Sequence, residues 1–320
     1  VSGLGPGAEF DRIRAIAAAL GPAAGPLDDD CALVALPSGD VLALSTDVAV
    51  ENVHFRRAWL GAGEIGWRAA AAALSDLGAE GAEPLGVLAA VVVPAGAGDD
   101  ELTALMLGVA SAATSVGAAV LGGDVARGPS WSVTATVIGR TATPVRRAGA
   151  RPGDRLWVTG ALGGASAALL AWERGDEPGP DARRAFAHPE PRVAAGRWLA
   201  AHGARAMLDV SDGLGGDAGH LAAASGVAVR IDLARVPVAP AAADEAARLG
   251  AAPQLFAAQG GEDYELLVAL PPAFSDADAA ACLADTGVPL TRIGEVTAGS
   301  GVQAELEGRP YTLTGYDHFT

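Results

Sequence analysis

Two rhythms of apolar and polar residues alternate along this chain. Between residues 11 and 20 (DRIRAIAAAL) apolar positions recur at the spacing of a short helix. Val41 to Ser45 is an apolar run of strand type that leads straight into Thr46 and Asp47. Gly66 to Leu77 has helical periodicity, Gly86 to Val93 is a β-rich run stopped by Pro94, and Glu101 to Val116 is a second long helix. A short strand at 119–121 runs into Gly122, Gly123 and Asp124, and residues 132–139 form another strand. The turn-like segment 146–154 (RRAGARPGD) marks a boundary between two domains, 1–145 and 146–320.

The second half opens with a strand at 155–159, a glycine-containing turn at 160–164 and a helix at 165–172. Residues 174–191 are charged and rich in proline and glycine, so they read as a loop. A helix, the acidic motif Asp209–Asp217 and a further helix follow; strands near 227–231, 265–269 and 292–296 complete a mixed sheet. No period of 20–50 residues suggests a solenoid. The expected class is α/β (α+β) in two domains, which suits a chain of 320 residues.

Composition sharpens this picture. Half the residues are hydrophobic but many are alanine, and only 5% are aromatic, which favours helix and argues against a large all-β core. The longest apolar run, Leu85 to Val93, is too short to span a bilayer, and residues 1–10 do not read as a secretory signal. Cys31 and Cys282 match no metal-binding spacing and read as reduced core residues of a cytoplasmic protein. The net charge of −16 argues against nucleic acid as a partner. The chain also contains no lysine. That excludes a Walker A loop and any Schiff-base chemistry, so phosphates would have to be handled by metals, arginines and backbone N–H groups.

Five segments place aspartate beside small residues at strand ends or helix starts: Asp28–Asp30, Ser45–Asp47, Leu74–Asp76, Gly122–Asp124 and Asp209–Gly213. Each aspartate alone reads as a cap or turn former. Together they have the character of a site for hard divalent cations, which take oxygen ligands and, for magnesium, a few carboxylates plus substrate phosphates. Convergent carboxylates repel by roughly 4 kcal/mol per pair at about 4 Å in moderate dielectric, so such a cluster needs cations. Two glycine patterns compete for attention. Gly61–Gly66 fits GxGxxG but follows no clear strand, which argues against a dinucleotide site. Gly160–Gly164 lies between strand and helix, where it either cradles a phosphate or allows tight packing. The Asp209–Asp217 segment is not an EF-hand loop, because its glycine falls one position early.

In order, the blocks DDCAL at 29–33, STDVAVENVHF at 45–55, LSDLGAEGAEP at 74–84, GGDVARGP at 122–129, RRAGARPGD at 146–154, LDVSDGL at 208–214, GGEDYEL at 260–266 and GYDHF at 315–319 resemble the thiamine-monophosphate kinase family, within the aminoimidazole-ribonucleotide synthetase-like superfamily. The resemblance implies an N-terminal domain whose sheet pairs across a homodimer, a C-terminal mixed α/β domain, and ATP- and Mg2+-dependent phosphorylation of thiamine monophosphate to thiamine diphosphate. By matching position, Asp30, Ser45, Thr46, Asp47, Asp76, Asp124, Asp209 and Asp212 correspond to magnesium ligands. Gly123, Asp124, Arg147 and Ser211 correspond to nucleotide contacts, and His54, Glu262 and Tyr316 to positions beside the thiamine substrate. From spacing alone His54 is a structural histidine and Glu262 a loop acid; only the family blocks give them a role. His188, His202 and His220 read as surface or helix residues, and His318 receives no role.

Three positions depart from the family pattern: Asp28, Ala73 and Glu80 stand where glycine, asparagine and methionine are usual. The acceptor of the implied reaction is already anionic, so positioning and charge neutralisation matter more than a general base. A cyclo-ligase or synthetase of the same superfamily, activating an amide or selenide with ATP, is the rival enzyme, disfavoured by the absence of lysine and of a reactive N-terminal cysteine loop. A metal- or nucleotide-binding module without turnover is the non-enzymatic rival.

Overall fold

The computed structural model describes residues 4–316, and their strands fall into two separate sheets. The first half runs α1 (Ala8–Leu20), β1 (Ala32–Ala35), β2 (Val41–Val50), α2 (Ala62–Ala79), β3 (Glu83–Pro94), α3 (Asp99–Ser115), β4 (Val120–Gly128) and β5 (Ser132–Thr141). Its sheet has the order β1-β2-β5-β3-β4, antiparallel except for the β3–β4 pair that α3 connects. Alternation sorts the two faces. Ala43, Val87, Ala89, Val91, Val133, Ala135 and Val137 point into a core with Ala70, Leu74 and Leu77 of α2 and Leu105 and Val109 of α3.

Small residues let α2 and α3 come together: a Cβ on Gly66 would lie 1.9 Å from the Leu105 carbonyl oxygen, and one on Gly108 1.9 Å from that of Gly63. The GxGxxG pattern is therefore a helix-packing device at the start of α2, with no nucleotide role.

The second half contains β6 (Arg155–Thr159), α4 (Gly164–Glu173), α5 (Pro180–Ala187), α6 (Val193–Ala201), β7 (Ala206–Val210), α7 (Leu214–Ser225), β8 (Ala228–Asp232), α8 (Pro240–Leu249), α9 (Pro253–Gln259), β9 (Glu265–Leu270), α10 (Asp276–Thr286), β10 (Leu290–Thr297), β11 (Gly301–Leu306) and β12 (Arg309–Tyr311). The sheet order is β12-β11-β8-β10-β6-β9-β7, with β8 and β11 parallel and the other neighbours antiparallel. One face packs Leu156, Val158, Leu208 and Leu267 under α7 and α9. The other packs Trp157, Met207, Leu266 and Val268 against Leu199 of α6 and Ala279 of α10.

The structure departs from the sequence reading in several places. Residues 174–191 are not a continuous loop. They contain α5, started by Pro180 at its first turn and anchored by the buried Ala182 and Phe186, four residues apart on one face. Strand β4 does not stop at 121 but continues through Gly122, Gly123 and Asp124, because its backbone pairs with β3 as far as Gly128. The local pattern of the sequence does not mark strands β1, β7, β11 and β12 or helices α8 to α10. Of the GYDHF block, residues 317–319, including His318, lie outside the described residues.

Candidate active site

The two sheets face each other across a cavity of about 560 Å3, and the ends of β2, α2 and β7 deliver carboxylates into it. Asp30 comes from the bend before β1, Asp47 from β2, Asp76 from the last turns of α2, and Asp209 from the buried strand β7. Ligand oxygens of Asp30, Asp76 and Asp209 all lie within 4.8 Å of one another. Ser45, one strand pitch from Asp47 on the same face of β2, donates to Asp76.

Electrostatics report the crowding. Burial, then the neighbouring Asp30 and Glu9, pushes Asp47 up to about 6. Burial, then Asp30 and Asp47, pushes Asp209 up to about 8, and burial with Asp47 and Asp209 raises Asp76 well above the carboxylate range. Such groups hold protons unless a cation replaces them.

Arg147, in the segment joining the two sheets, forms an ion pair with Asp30, and its backbone N–H donates to Asp29 at 2.8 Å. Both side chains are largely buried, 11% and 5% exposed, yet the Nε of Arg147 and Oδ2 of Asp30 lack a hydrogen-bond partner within the protein. Buried polar atoms left without partners at such a place are reserves for a ligand. An all-oxygen donor set with one unused carboxylate oxygen fits magnesium, which softer nitrogen or sulfur ligands would not favour.

A second acidic group adjoins the first. Asp212, Asp217 and His220, on the turn before α7 and on its first half, also offer ligand atoms within 4.8 Å of one another. Asp217 accepts from the Asp212 backbone N–H at 3.2 Å and so shapes that turn. Burial, followed by Arg147, lowers His220 to about 4 and keeps its ring neutral. Of the two readings the sequence leaves for His220, surface or helix, the helix holds: it lies on α7, with its side chain buried beneath Gly5 and Phe10. The N-terminal segment thus packs on the second half of the chain, a contact that no local pattern signals.

At the other end of the cavity, His54 accepts from the Val50 backbone N–H through Nδ1 at 3.0 Å, which leaves Nε2 to carry the proton. Glu262 pairs with Arg68, a buried arginine of α2 whose guanidinium also donates to the Phe186 carbonyl at 2.6 Å. Glu262 and Tyr264 both have left-handed backbone, φ 70° and 54°, on either side of Asp263. Each such residue costs on the order of 1–3 kcal/mol and persists only where its surroundings enforce it. Here the Glu262 N–H donates to the Ser211 carbonyl at 2.7 Å and the Tyr264 N–H to that of Val210 at 2.9 Å. Asp263 accepts from the Gly163 N–H at 2.9 and 2.8 Å. The Gly160–Gly164 turn therefore cradles a carboxylate of the chain itself. The packing alternative holds, and the helix N-terminus is not free for a phosphate. Tyr316 is exposed at the cavity rim, its backbone N–H donating to the Asp212 carbonyl at 2.8 Å.

Of the residues singled out in the sequence, Asp30, Ser45, Thr46, Asp47, His54, Asp76, Arg147, Asp209, Ser211, Asp212, Glu262 and Tyr316 line this cavity. Thr46 does so with a difference: its hydroxyl shares a hydrogen bond of 2.9 Å with Thr136 on the far face of the sheet. Gly123 and Asp124 do not line it. Asp124 lies in register with Ala90, Thr134 and Val48 across the sheet, on the open face opposite the helices. Glu80 is buried behind Asp29 and Asp30, and burial pushes it up to about 9.

Family models match in two pieces: AIR synthase related protein, N-terminal domain, over residues 28–141, and the corresponding C-terminal domain over residues 151–307. A thiamine-monophosphate kinase of Halobacterium salinarum is 40% identical over 254 residues, covering 79% of this chain and 83% of that protein. One from Caulobacter vibrioides is 37% identical over 324 residues, covering 96% and 89%. A solved structure of AaThiL complexed with AMPPCP and TMP superposes with a TM-score of 0.86 at 30% identity, covering 97% of each chain.

Proposed function

This chain belongs to the thiamine-monophosphate kinase family, and on that premise we propose how its cavity carries out the phosphorylation of thiamine monophosphate by ATP. The observation that carries the proposal is the convergence of Asp30, Asp76 and Asp209 beside the half-satisfied Arg147. An anionic phosphate oxygen of the monophosphate attacks the terminal phosphorus of ATP. The bond from that phosphorus to the bridging oxygen breaks, and ADP leaves with the electron pair.

Asp30, Ser45, Asp47, Asp76, Asp209 and Asp212 are the side chains that would hold magnesium. When bound there, it neutralises the two phosphate groups that must meet. Arg147 and Ser211 bind the nucleotide, the arginine through the donors that Asp30 does not occupy. His54, Glu262 and Tyr316 hold the thiamine end. Arg68 fixes the Glu262 carboxylate, so that the substrate meets an oriented acceptor. No residue needs to remove a proton from the attacking oxygen, since it is already ionised near neutral pH.

The reading extends to a homodimer. Val48, Leu88 and Ala90 are exposed on the open face of the first sheet, together with Thr46 and Asp124. An uncovered apolar sheet face of this kind is a surface for association. Covering it in a homodimer would enclose Thr46 and Asp124, with Gly123 next to Asp124 on the edge strand β4, and bring them into the metal and nucleotide machinery. The division of the chain at residues 145 and 146 is supported by the segregation of its two sheets. A cytoplasmic location suits ATP as co-substrate and two buried unpaired cysteines, Cys31 and Cys282. No helix among the described residues is long and apolar enough to cross a membrane.

The test is phosphorus NMR of the purified protein with ATP, magnesium and thiamine monophosphate. Thiamine diphosphate and ADP are expected only when both the monophosphate and magnesium are present. Binding of both ligands without a new diphosphate signal overturns the reading and favours a module without turnover.

A further inference from the structure

Past His54 and Glu262, the cavity continues into an aromatic wall that phosphoryl transfer does not require. Trp59 ends a turn closed by its own N–H donating to the Arg56 carbonyl at 2.9 Å. Its ring stacks on Trp172 of α4, with centroids 5.2 Å apart and planes 6° from parallel. Phe186 of α5 meets Trp172 edge-on at 5.4 Å and 77°. Trp172 and Phe186 are buried, whereas Trp59 is half-buried and lines the cavity with Arg56, Leu169, Glu173 and Phe186. Arg183 locks the turn in place, donating to the Trp59 carbonyl at 3.1 Å while paired with Glu64.

A cation already rests on this wall. The guanidinium carbon of Arg56 lies 4.5 Å from the centroid of the Trp59 ring. The nearby Arg68 is committed to Glu262 and to Phe186, its guanidinium 3.8 Å from that ring's centroid. Arg56 is different: it is exposed and has no carboxylate partner among the described residues. Its place over the ring depends on the attraction between a cation and an aromatic face. A substrate with a phosphate at one end and a permanently cationic ring at the other has matching requirements: its anion belongs with the arginine and metal ligands, its cation on a π surface.

We propose that Trp59, backed by Trp172 and Phe186, seats the cationic heterocycle of the substrate, and that Arg56 holds that place until the substrate displaces it. The proposal rests on the reading of the cavity as a thiamine-monophosphate kinase site. It adds a specificity-determining residue that acts on the organic end of the substrate rather than on the transferred phosphate.

Steady-state kinetics of the full chain and of Trp59→Ala, Trp59→Phe, Trp59→Leu and Arg56→Ala test it, with thiamine monophosphate and ATP varied separately. In Trp59→Ala the KM for the monophosphate is expected to rise about tenfold, with the loss on that KM rather than on kcat and the KM for ATP held within about twofold. Phe at position 59 should restore most of the affinity, and Leu, similar in bulk but without a π face, should not. Arg56→Ala should lower the KM for the monophosphate by removing the competing cation. An unchanged monophosphate KM in Trp59→Ala, or equal affinity with Phe and Leu, overturns the proposal while leaving the kinase reading intact. Failure of the unaltered protein to phosphorylate the monophosphate overturns the kinase reading and the proposal together. If Trp59→Ala does not fold, the Phe and Leu variants decide.

Discussion

Arg147 and Asp30 form a largely buried ion pair across the seam between the two sheets, each with one polar atom left unbonded. The pair joins the loop before β1 to the segment before β6 and lines the cavity proposed to hold nucleotide and metal.

Removing one partner of a buried pair leaves the other as an uncompensated charge, at a cost of about 3–5 kcal/mol. Arg147→Ala should therefore lower the thermal midpoint markedly in the absence of divalent cations. Magnesium compensates Asp30 in the variant, so its addition should recover more stability there than in the parent. The KM for ATP should rise at least tenfold in the variant. Calorimetry with and without magnesium, together with ATP-dependent rates, checks both statements. A variant equally stable without metal would show the pair to be dispensable.

The acidic cluster predicts a pH-dependent response to magnesium. Asp47 and Asp209 are raised to about 6 and about 8 by burial and then by the charge of neighbouring acids, Asp30 foremost, above the value of an unfolded aspartate. Without metal, the folded state keeps protons that the unfolded chain releases, so stability falls as pH rises through this range. Metal binding requires the carboxylates deprotonated and displaces those protons. The shift in thermal midpoint caused by magnesium should thus be small near pH 5.5 and large near pH 8.5. Proton release on titrating magnesium into the protein at pH 7 gives an independent readout.

Glu80 supplies a stability test away from the chemistry. Its carboxyl is fully buried at 0% exposure, and burial, followed by Asp29 and Asp30, pushes it up to about 9. Above the pKa of the unfolded chain, near 4.5, the folded protein must retain a proton that the unfolded chain gives up. Glu80→Gln removes that linkage. In metal-free buffer the variant should gain on the parent by up to about 1.4 kcal/mol per pH unit between pH 5 and 9. Urea unfolding at several pH values measures the difference; a gap independent of pH would show that Glu80 is ionised in the folded state.

The open face of the first sheet predicts an oligomeric state. Leu88 and Val48 are 37% and 49% exposed on that face. Leu88→Glu should convert a homodimer to monomer in light scattering and abolish most activity while leaving the helical content intact, since the buried face of β3 is untouched. A parent protein that is already monomeric would remove the dimer from the proposed function.

Much of the site could be read before the fold, because the chemistry concentrates in short blocks. Asp30, Asp47, Asp76 and Asp209 stand out as acids beside small residues, and their convergence follows from strand ends and helix turns that local pattern partly predicts. Strand β7 was missed although Asp209 lies on it: five buried residues carry little periodicity of their own. Helix α5 was missed because Pro, Gly and charge dominate residues 174–191, and only contacts made by Ala182 and Phe186 give it a buried face.

The sequence by itself determined the class of chemistry. A chain without lysine, with clustered aspartates and a family's ordered blocks, left phosphoryl transfer as the consistent reading, with the aspartates as its proposed metal ligands. Local spacing also marked most strands and helices, because a face that must be buried imposes its period on the residues that fill it. Only the tertiary structure decided which of those residues act together. It brought Asp30 onto Arg147, separated Asp124 onto the open face of the sheet, set the Asp263 carboxylate against the N-terminus of α4, and stacked Trp59 on Trp172, 113 residues away, at 5.2 Å. Contacts of that length depend on how two sheets and their helices pack, a property of the whole chain that no short window of sequence contains.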